Sequence, residues 1–241
     1  MLQLERQNRY RERRRQEQPG WQPSGDAFEA LTRQRLSPAS RVLDLGCGRG
    51  GVMELFWRDV RLAVGLDPDL PSLREHRAGM PLVCGLAEAL PFRAASFNLV
   101  IGLWVLEHLA EPSLTLREIH RVLAPGGHFI FLTPNALHPL LLANRYAWAF
   151  PAVQRLLVPR LYGRGEADTF RVRYRANTVG RLRALAAETG FDVAGLRTIS
   201  DPTYLAFNDI FYRLSVVFER LLPRAAHVHI LGDFVRGEMA N

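Results

Sequence analysis

The sequence predicts an α/β protein: a Rossmann-like, mostly parallel sheet with helices on both faces. Three observations predict it. Apolar runs of strand length recur through residues 40–135. Segments of helical periodicity lie between them, and the first run ends in a glycine-rich turn. Strands that alternate with helices at this spacing form a parallel sheet buried on both sides.

Each element follows in order. Residues 1–18 are Gln, Glu and Arg in the main and read as a polar helix or a disordered tail, closed by Pro19-Gly20. Phe28, Leu31 and Leu36 suggest a short amphipathic helix. Arg41 to Leu45 reads as the first strand, Val52 to Val60 as a helix, and Leu62 to Leu66 as the second strand, ending at Asp67. A helix through Leu73 to His76 precedes a short strand at Leu82 to Cys84. Phe97 to Gly102 is the fourth strand. Pro112 to Leu123 follows as a helix with Leu114, Leu116, Ile119 and Leu123 on one side. Gly127 to Leu132 is the fifth strand. Beyond Pro134 the rhythm breaks into an apolar, aromatic insertion at 136–175. A helix at Thr178 to Thr189, stopped by Gly190, then leads into a strand at Phe191 to Leu196. A second apolar stretch spans Tyr204 to Leu222, before a strand around Val228 to Leu231.

The composition is that of a soluble globular domain, with 48% apolar and 23% charged residues. No apolar run reaches the roughly 18–20 residues of a membrane-spanning helix. The first twenty residues lack the apolar middle of a secretory signal, so a cytoplasmic protein is expected. Cys47 and Cys84 are the only cysteines, too few for a disulfide framework or a structural zinc site. The net charge of +7 is unevenly spread. Residues 1–18 carry six Arg and three Glu, residues 19–135 eleven Arg and twelve acids, and residues 136–241 fourteen Arg and nine acids. The basic excess therefore lies outside the segment that holds the motifs. That argues against nucleic acid as the partner and leaves the tail as a solvated or helical extension. All 31 basic residues are Arg.

The strongest motif is Val42-Leu43-Asp44-Leu45-Gly46-Cys47-Gly48-Arg49-Gly50-Gly51. A buried strand runs there into glycines that let backbone approach a ligand closely. Asp67, at the end of the next strand, can accept hydrogen bonds from both hydroxyls of a ribose, or cap a helix. These two features suit a nicotinamide or an adenosyl cofactor equally. Four later motifs separate them: Gly85-Leu86-Ala87-Glu88-Ala89-Leu90-Pro91-Phe92, Ser96-Phe97-Asn98-Leu99-Val100, Leu106-Glu107-His108-Leu109, and Arg121-Val122-Leu123-Ala124-Pro125-Gly126-Gly127. With them, residues 40–135 resemble the class I S-adenosylmethionine-dependent methyltransferases, the broad family that includes the ubiquinone and menaquinone biosynthesis methyltransferases.

The resemblance implies a seven-stranded sheet with its last strand antiparallel, and S-adenosyl-L-methionine as cofactor. It implies that Asp44 and the turn through Gly46, Cys47, Gly48 and Gly50 hold the methionine portion, and that Asp67 binds the ribose. Leu86 and Ala87 would flank the adenine, and Leu103 would pass close to the sulfonium. Many relatives carry Asp where Leu86 stands, so the adenine amino group must find backbone here or go unbound. Methyl transfer needs alignment of the nucleophile and, for a hydroxyl, removal of its proton. His108, after the fourth strand, is the leading candidate base, against a packing or helix-capping role; His138, after the fifth, is the second. Some quinone O-methyltransferases place a metal at the positions of Trp104, Glu107 and His108. Trp cannot ligate a metal, so no metal site is expected.

The acceptor is read from what surrounds the core. Gly102-Leu103-Trp104-Val105 stands where many enzymes that methylate exocyclic amines carry Asp- or Asn-Pro-Pro-aromatic. Leu and aromatic residues concentrate in 139–162. In 204–222, Phe207, Ile210, Phe211, Leu214, Val217, Phe218 and Leu221 recur at helical spacing opposite Asp209, Arg213 and Arg220. Such stripes pack a helix onto a sheet or build helical lid insertions over the cleft. The loop at 163–170, with Arg171, Arg173, Tyr174 and Arg175, suits a polar part of the substrate or a salt-bridged connection. The expectation is an Arg-rich tail at 1–20 and a methyltransferase domain at 21–241, with its cofactor core at 40–135 and substrate-side insertions at 136–175 and 199–224. Its reaction would be O-methylation of a small or lipid-linked, partly apolar molecule, with peripheral contact to a membrane. The alternatives are an RNA methyltransferase using the basic tail, a sugar or polysaccharide O-methyltransferase, and a cofactor-binding module without catalysis.

Overall fold

The structure is a computed structural model, which describes residues 3–142 and 172–237. Seven strands form one sheet in the order β3-β2-β1-β4-β5-β7-β6. They are β1 (Arg41–Leu45), β2 (Leu62–Asp67), β3 (Leu82–Cys84), β4 (Phe97–Leu103), β5 (Leu123–Pro134), β6 (Phe191–Ile199) and β7 (His229–Arg236). β1, β2, β3, β4 and β5 pair in parallel, whereas β7 runs antiparallel to both β5 and β6. The expected Rossmann-like sheet is the sheet observed.

Successive side chains of a strand point to opposite faces, and both faces are apolar here. Leu43, Val100, Phe129 and Phe131 pack on one side, against α4 (Pro112–Val122) and α5 (Val179–Thr189). Val42, Ile101, Ile130 and Leu132 pack on the other with Phe28 of α2 (Ser24–Arg35), Met53 and Phe56. β7 meets β5 closely only because Gly232 lies opposite Phe131, where a Cβ would stand 2.1 Å from the ring.

Several local readings shift. The helix expected over 52–60 is a single 3-10 turn, Val52–Leu55. Met53 within it and Phe56 at its C-cap point inward three residues apart, the spacing that a 3-10 turn eclipses. On α4 the buried positions are Pro112, Thr115, Leu116, Ile119 and Val122, and Leu114 is turned out to solvent. α3 (Leu70–Arg74) is capped by Asp69, whose carboxylate accepts from the Ser72 N–H at 3.1 Å, so Asp67 is not the cap.

The arginine-rich N-terminus forms α1 (Gln3–Glu17), which packs on a 3-10 turn at Pro202–Leu205 and on α6 (Asp209–Leu221). The Tyr10 and Tyr212 rings stack 5.1 Å apart. The Tyr10 hydroxyl donates to Asp209 at 3.0 Å, and the Tyr212 hydroxyl to Glu17 at 2.6 Å. Of the two readings of the α6 stripe, packing onto the sheet is not what is seen: Tyr212, Ser215 and Glu219 face the protein, and Ile210, Phe211, Leu214, Val217 and Leu221 face out. Most of the apolar stretch at 139–162, and the loop at 163–170, lie outside the described residues. Among the described residues no helix is long and apolar enough to cross a membrane.

Candidate active site

The parallel strands deliver their C-terminal ends to one edge of the sheet, where ligands of open α/β folds bind. β1 ends at Leu45 and breaks into the glycine turn, held by hydrogen bonds from the Gly46 and Cys47 N–H groups to the Leu66 carbonyl at 2.7 and 3.2 Å. Gly46 has φ +71, and a Cβ there would stand 2.4 Å from the Val105 side chain. Gly48 has φ +50, yet a Cβ on it would meet nothing within 4 Å, so the backbone faces open space at that point. Glycine alone serves both needs.

Asp67 closes the turn from the next strand. One of its carboxylate oxygens accepts from the Gly48 N–H at 2.9 Å and the other from the Asp69 N–H at 2.8 Å. A carboxylate has about four acceptor positions, so both oxygens keep capacity for further donors. Asp44 lies beside it, 6% exposed, and accepts no hydrogen bond among the described residues. Burial, and then the neighbouring Asp67, push its carboxyl up to about 7. The Cys47 thiol is buried between these groups and pushed up to about 12, which makes it an inert packing group. Gly50, at φ +119, leaves room for Glu54, whose carboxylate is clasped by Arg77 at 2.6 Å.

The other expected cofactor residues gather at the same edge. Asp67 pairs with Cys84 in the β2–β3 register, which brings Leu86, 60% exposed, and half-buried Ala87 round to the side of Asp67. Leu103 ends β4, and Trp104 follows in a left-handed conformation at φ +60. Its indole leans on the His229 ring at 4.8 Å. Burial holds His229 neutral, down at about 3.

His108 lies in the turn after β4 with its side chain 33% exposed. Its Nε2 is 4.0 Å from the carboxyl of Glu107, which is buried and therefore pushed up to about 7. Glu107 accepts from the Thr133 hydroxyl at 3.1 Å, and Thr133 accepts from the Asn177 amide at 2.6 Å. Sequence reasoning placed Glu107 in a motif without giving it work; an acid next to a candidate base was the available signal. His138 is placed differently. It is fully buried, with Nε2 3.0 Å from Glu219 of α6, and has no open face toward the glycine turn. Sealed in this way, His138 is not placed to act as the base. Arg175 bonds Glu111 at 3.0 Å, the salt-bridged connection rather than a substrate contact.

Residues 43–131 match the family described as "Methyltransferase domain". That stretch of the chain is a methyltransferase-type domain. Over 100 residues it is 39% identical to a protein named as an S-adenosylmethionine-dependent methyltransferase of Mycolicibacterium smegmatis, covering 40% of this chain and 38% of the relative. Over 154 residues it is 35% identical to the ubiquinone biosynthesis O-methyltransferase of Ruegeria pomeroyi, covering 61% and 59%. The chain thus spans between about two fifths and three fifths of the length of these curated relatives. In fold, it is similar to the S-adenosylmethionine-dependent methyltransferase of Mesorhizobium loti, with a TM-score of 0.57 at 17% identity over 86% of this chain and 96% of the other.

S-adenosylmethionine is the cofactor of this methyltransferase family, and the residues present fit it. Asp44 is a buried acid with no cation beside it among the described residues, and the donor's ammonium would supply one. Gly48 leaves open space beside backbone, and Asp67 keeps acceptor capacity for a pair of ribose hydroxyls. When bound, the cofactor supplies a methyl carbon made electrophilic by its sulfonium.

Proposed function

We propose that this chain is an S-adenosylmethionine-dependent O-methyltransferase acting on a small or lipid-linked, partly apolar acceptor. The observation that carries the reading is the pairing of an uncompensated Asp44 with the open glycine turn braced by Asp67. It is an arrangement with an unmet need for a cationic, hydroxylated ligand. His108 supplies what an O-acceptor needs beyond alignment. Its part-exposed imidazole, neutral, takes the acceptor's hydroxyl proton, and Glu107 beside it stabilises the resulting imidazolium. The half-exposed Trp104 indole offers the acceptor an apolar wall at the end of β4.

The relative named for ubiquinone biosynthesis O-methylation supports an oxygen acceptor. The competing RNA reading needs a free basic tail. Arg13 and Arg15 of α1 are instead spent on Glu17, Asp209, Glu12 and Asp26, and Arg14 is buried. The test is calorimetry with S-adenosylmethionine and its demethylated product, followed by transfer of labelled methyl to cell extracts split into lipid, aqueous small-molecule and RNA fractions. Binding with label in an alkali-stable ether or an ester of the first two fractions is expected. Label in RNA, or no binding of the cofactor, would overturn the reading.

A further inference from the structure

α6 is inverted relative to an ordinary surface helix. A helix against a core turns its apolar stripe inward and its polar face to water. On α6 the inward positions are Tyr212, Ser215 and Glu219, while Ile210, Leu214, Val217 and Leu221 are 69%, 60%, 54% and 80% exposed. Phe211 widens that stripe, and a cavity of about 210 Å³ runs beside it between Leu140, Leu214 and Phe218.

The inversion is locked. Ser215 donates to the Pro202 carbonyl at 2.7 Å, Glu219 holds His138 at 3.0 Å, and Tyr212 donates to Glu17 while stacking on Tyr10. Rolling the helix to hide the stripe would break all of these contacts and strand buried polar groups, which is costly. The apolar face is therefore held outward by its own inward partners.

Charge says what it meets. Arg213 and Arg220 flank the stripe on one side and Arg224 follows the helix; all three are exposed, and none forms an ion pair among the described residues. The helix's acids are both occupied: Asp209 by Tyr10 and Arg13, Glu219 by His138. We propose that the outward face of α6 docks on an anionic lipid surface, with Leu214, Val217 and Leu221 entering the acyl boundary and the arginines engaging headgroup phosphates. A second copy of the chain would bring basic flank against basic flank, and residues 143–171 themselves carry five Arg against two acids. Neither supplies the missing negative charge. The inference stands apart from the acceptor's identity and goes beyond the methyl-transfer reading.

The test is flotation of the full chain with phosphatidylcholine vesicles, with and without phosphatidylserine, at low and high salt. Wild type should float with the anionic vesicles at low salt and lose binding as salt rises. Removing both charges (Arg213→Gln with Arg220→Gln) should weaken binding about fivefold per arginine. Leu214→Ser with Leu221→Ser should abolish it, with melting temperature and cofactor affinity unchanged. Three results would overturn the proposal. Wild type failing to float at low salt is one. A large fall in melting temperature for the Ser variant is another, because the stripe is then covered by the chain itself. The third is a dimer in sedimentation velocity that the Ser variant dissociates.

Discussion

Asp44→Asn separates what the glycine-turn acid costs the fold from what it gives the ligand. The carboxyl of Asp44 is pushed from the usual 3.8 up to about 7, by burial first and by Asp67 second. A folded-state value above the unfolded one means that the folded protein holds a proton the unfolded chain has already lost. The stability tied to that proton is complete below about pH 4, drains as the pH rises to about 7, and is gone above it. For the full shift the loss is roughly 4 kcal/mol, an upper bound for a group at the edge of an open cleft. Asn is nearly isosteric and never ionises. The ligand-free variant should therefore melt several degrees above wild type at pH 8, at about 2–4 °C per kcal/mol for a chain of this size. Near pH 4 the difference should vanish. Cofactor affinity should move the other way, falling tenfold or more, while wild-type affinity rises between pH 6 and 8 as the carboxylate forms. Melting curves across pH, with calorimetry at the two ends, test both. A Tm difference that is the same at pH 5 and pH 8, or an unchanged affinity, would refute the reasoning.

Three further outcomes follow from the same contacts. Asp67→Ala removes the acceptor for a ribose and the brace on Gly48, so calorimetry should record roughly ten- to a hundred-fold weaker cofactor binding, about 1.5–3 kcal/mol. His108→Ala should leave that affinity alone and cut turnover about 10²-fold; a loss of less than a few-fold in single-turnover assays would make His108 structural. Glu219→Ala leaves the buried His138 Nε2 without its hydrogen-bond partner and should cost about 1–3 kcal/mol in denaturant melts. His138→Phe combined with Glu219→Leu should recover much of that.

The cofactor half of the site was legible because its constraints are local in sequence. A parallel strand buried on both faces reads as an apolar run, and the turn after β1 needs glycine at Gly46 and Gly48 for reasons within a few residues of each. Asp67 sits one strand away at a fixed register. The parallel strands followed from the same regularity, whereas the antiparallel last strand was implied by the resemblance alone.

What resisted reading was decided by partners far along the chain. Periodicity says that Ile210, Leu214, Val217 and Leu221 share a face, but not whether that face looks in or out. The direction came from contacts to residues almost two hundred positions earlier, Tyr10 with Asp209 and Glu17 with Tyr212. Likewise, His138 looked available after β5 until Glu219 arrived from 81 residues downstream. The arginine-rich start, read as a polar helix or a disordered tail, is a helix that owes its place to those same bonds. One set of polar contacts thus seats α1, seals His138 away from the reaction, and turns the apolar face of α6 to the outside. Cutting that set at Tyr212, by Tyr212→Phe with Glu17→Ala, should loosen α1 first: amide exchange in residues 3–17 should accelerate while the β1–β4 core stays protected. Equal acceleration throughout the chain would mean that α1 and the sheet open as one unit, and that the contacts do not separate the two.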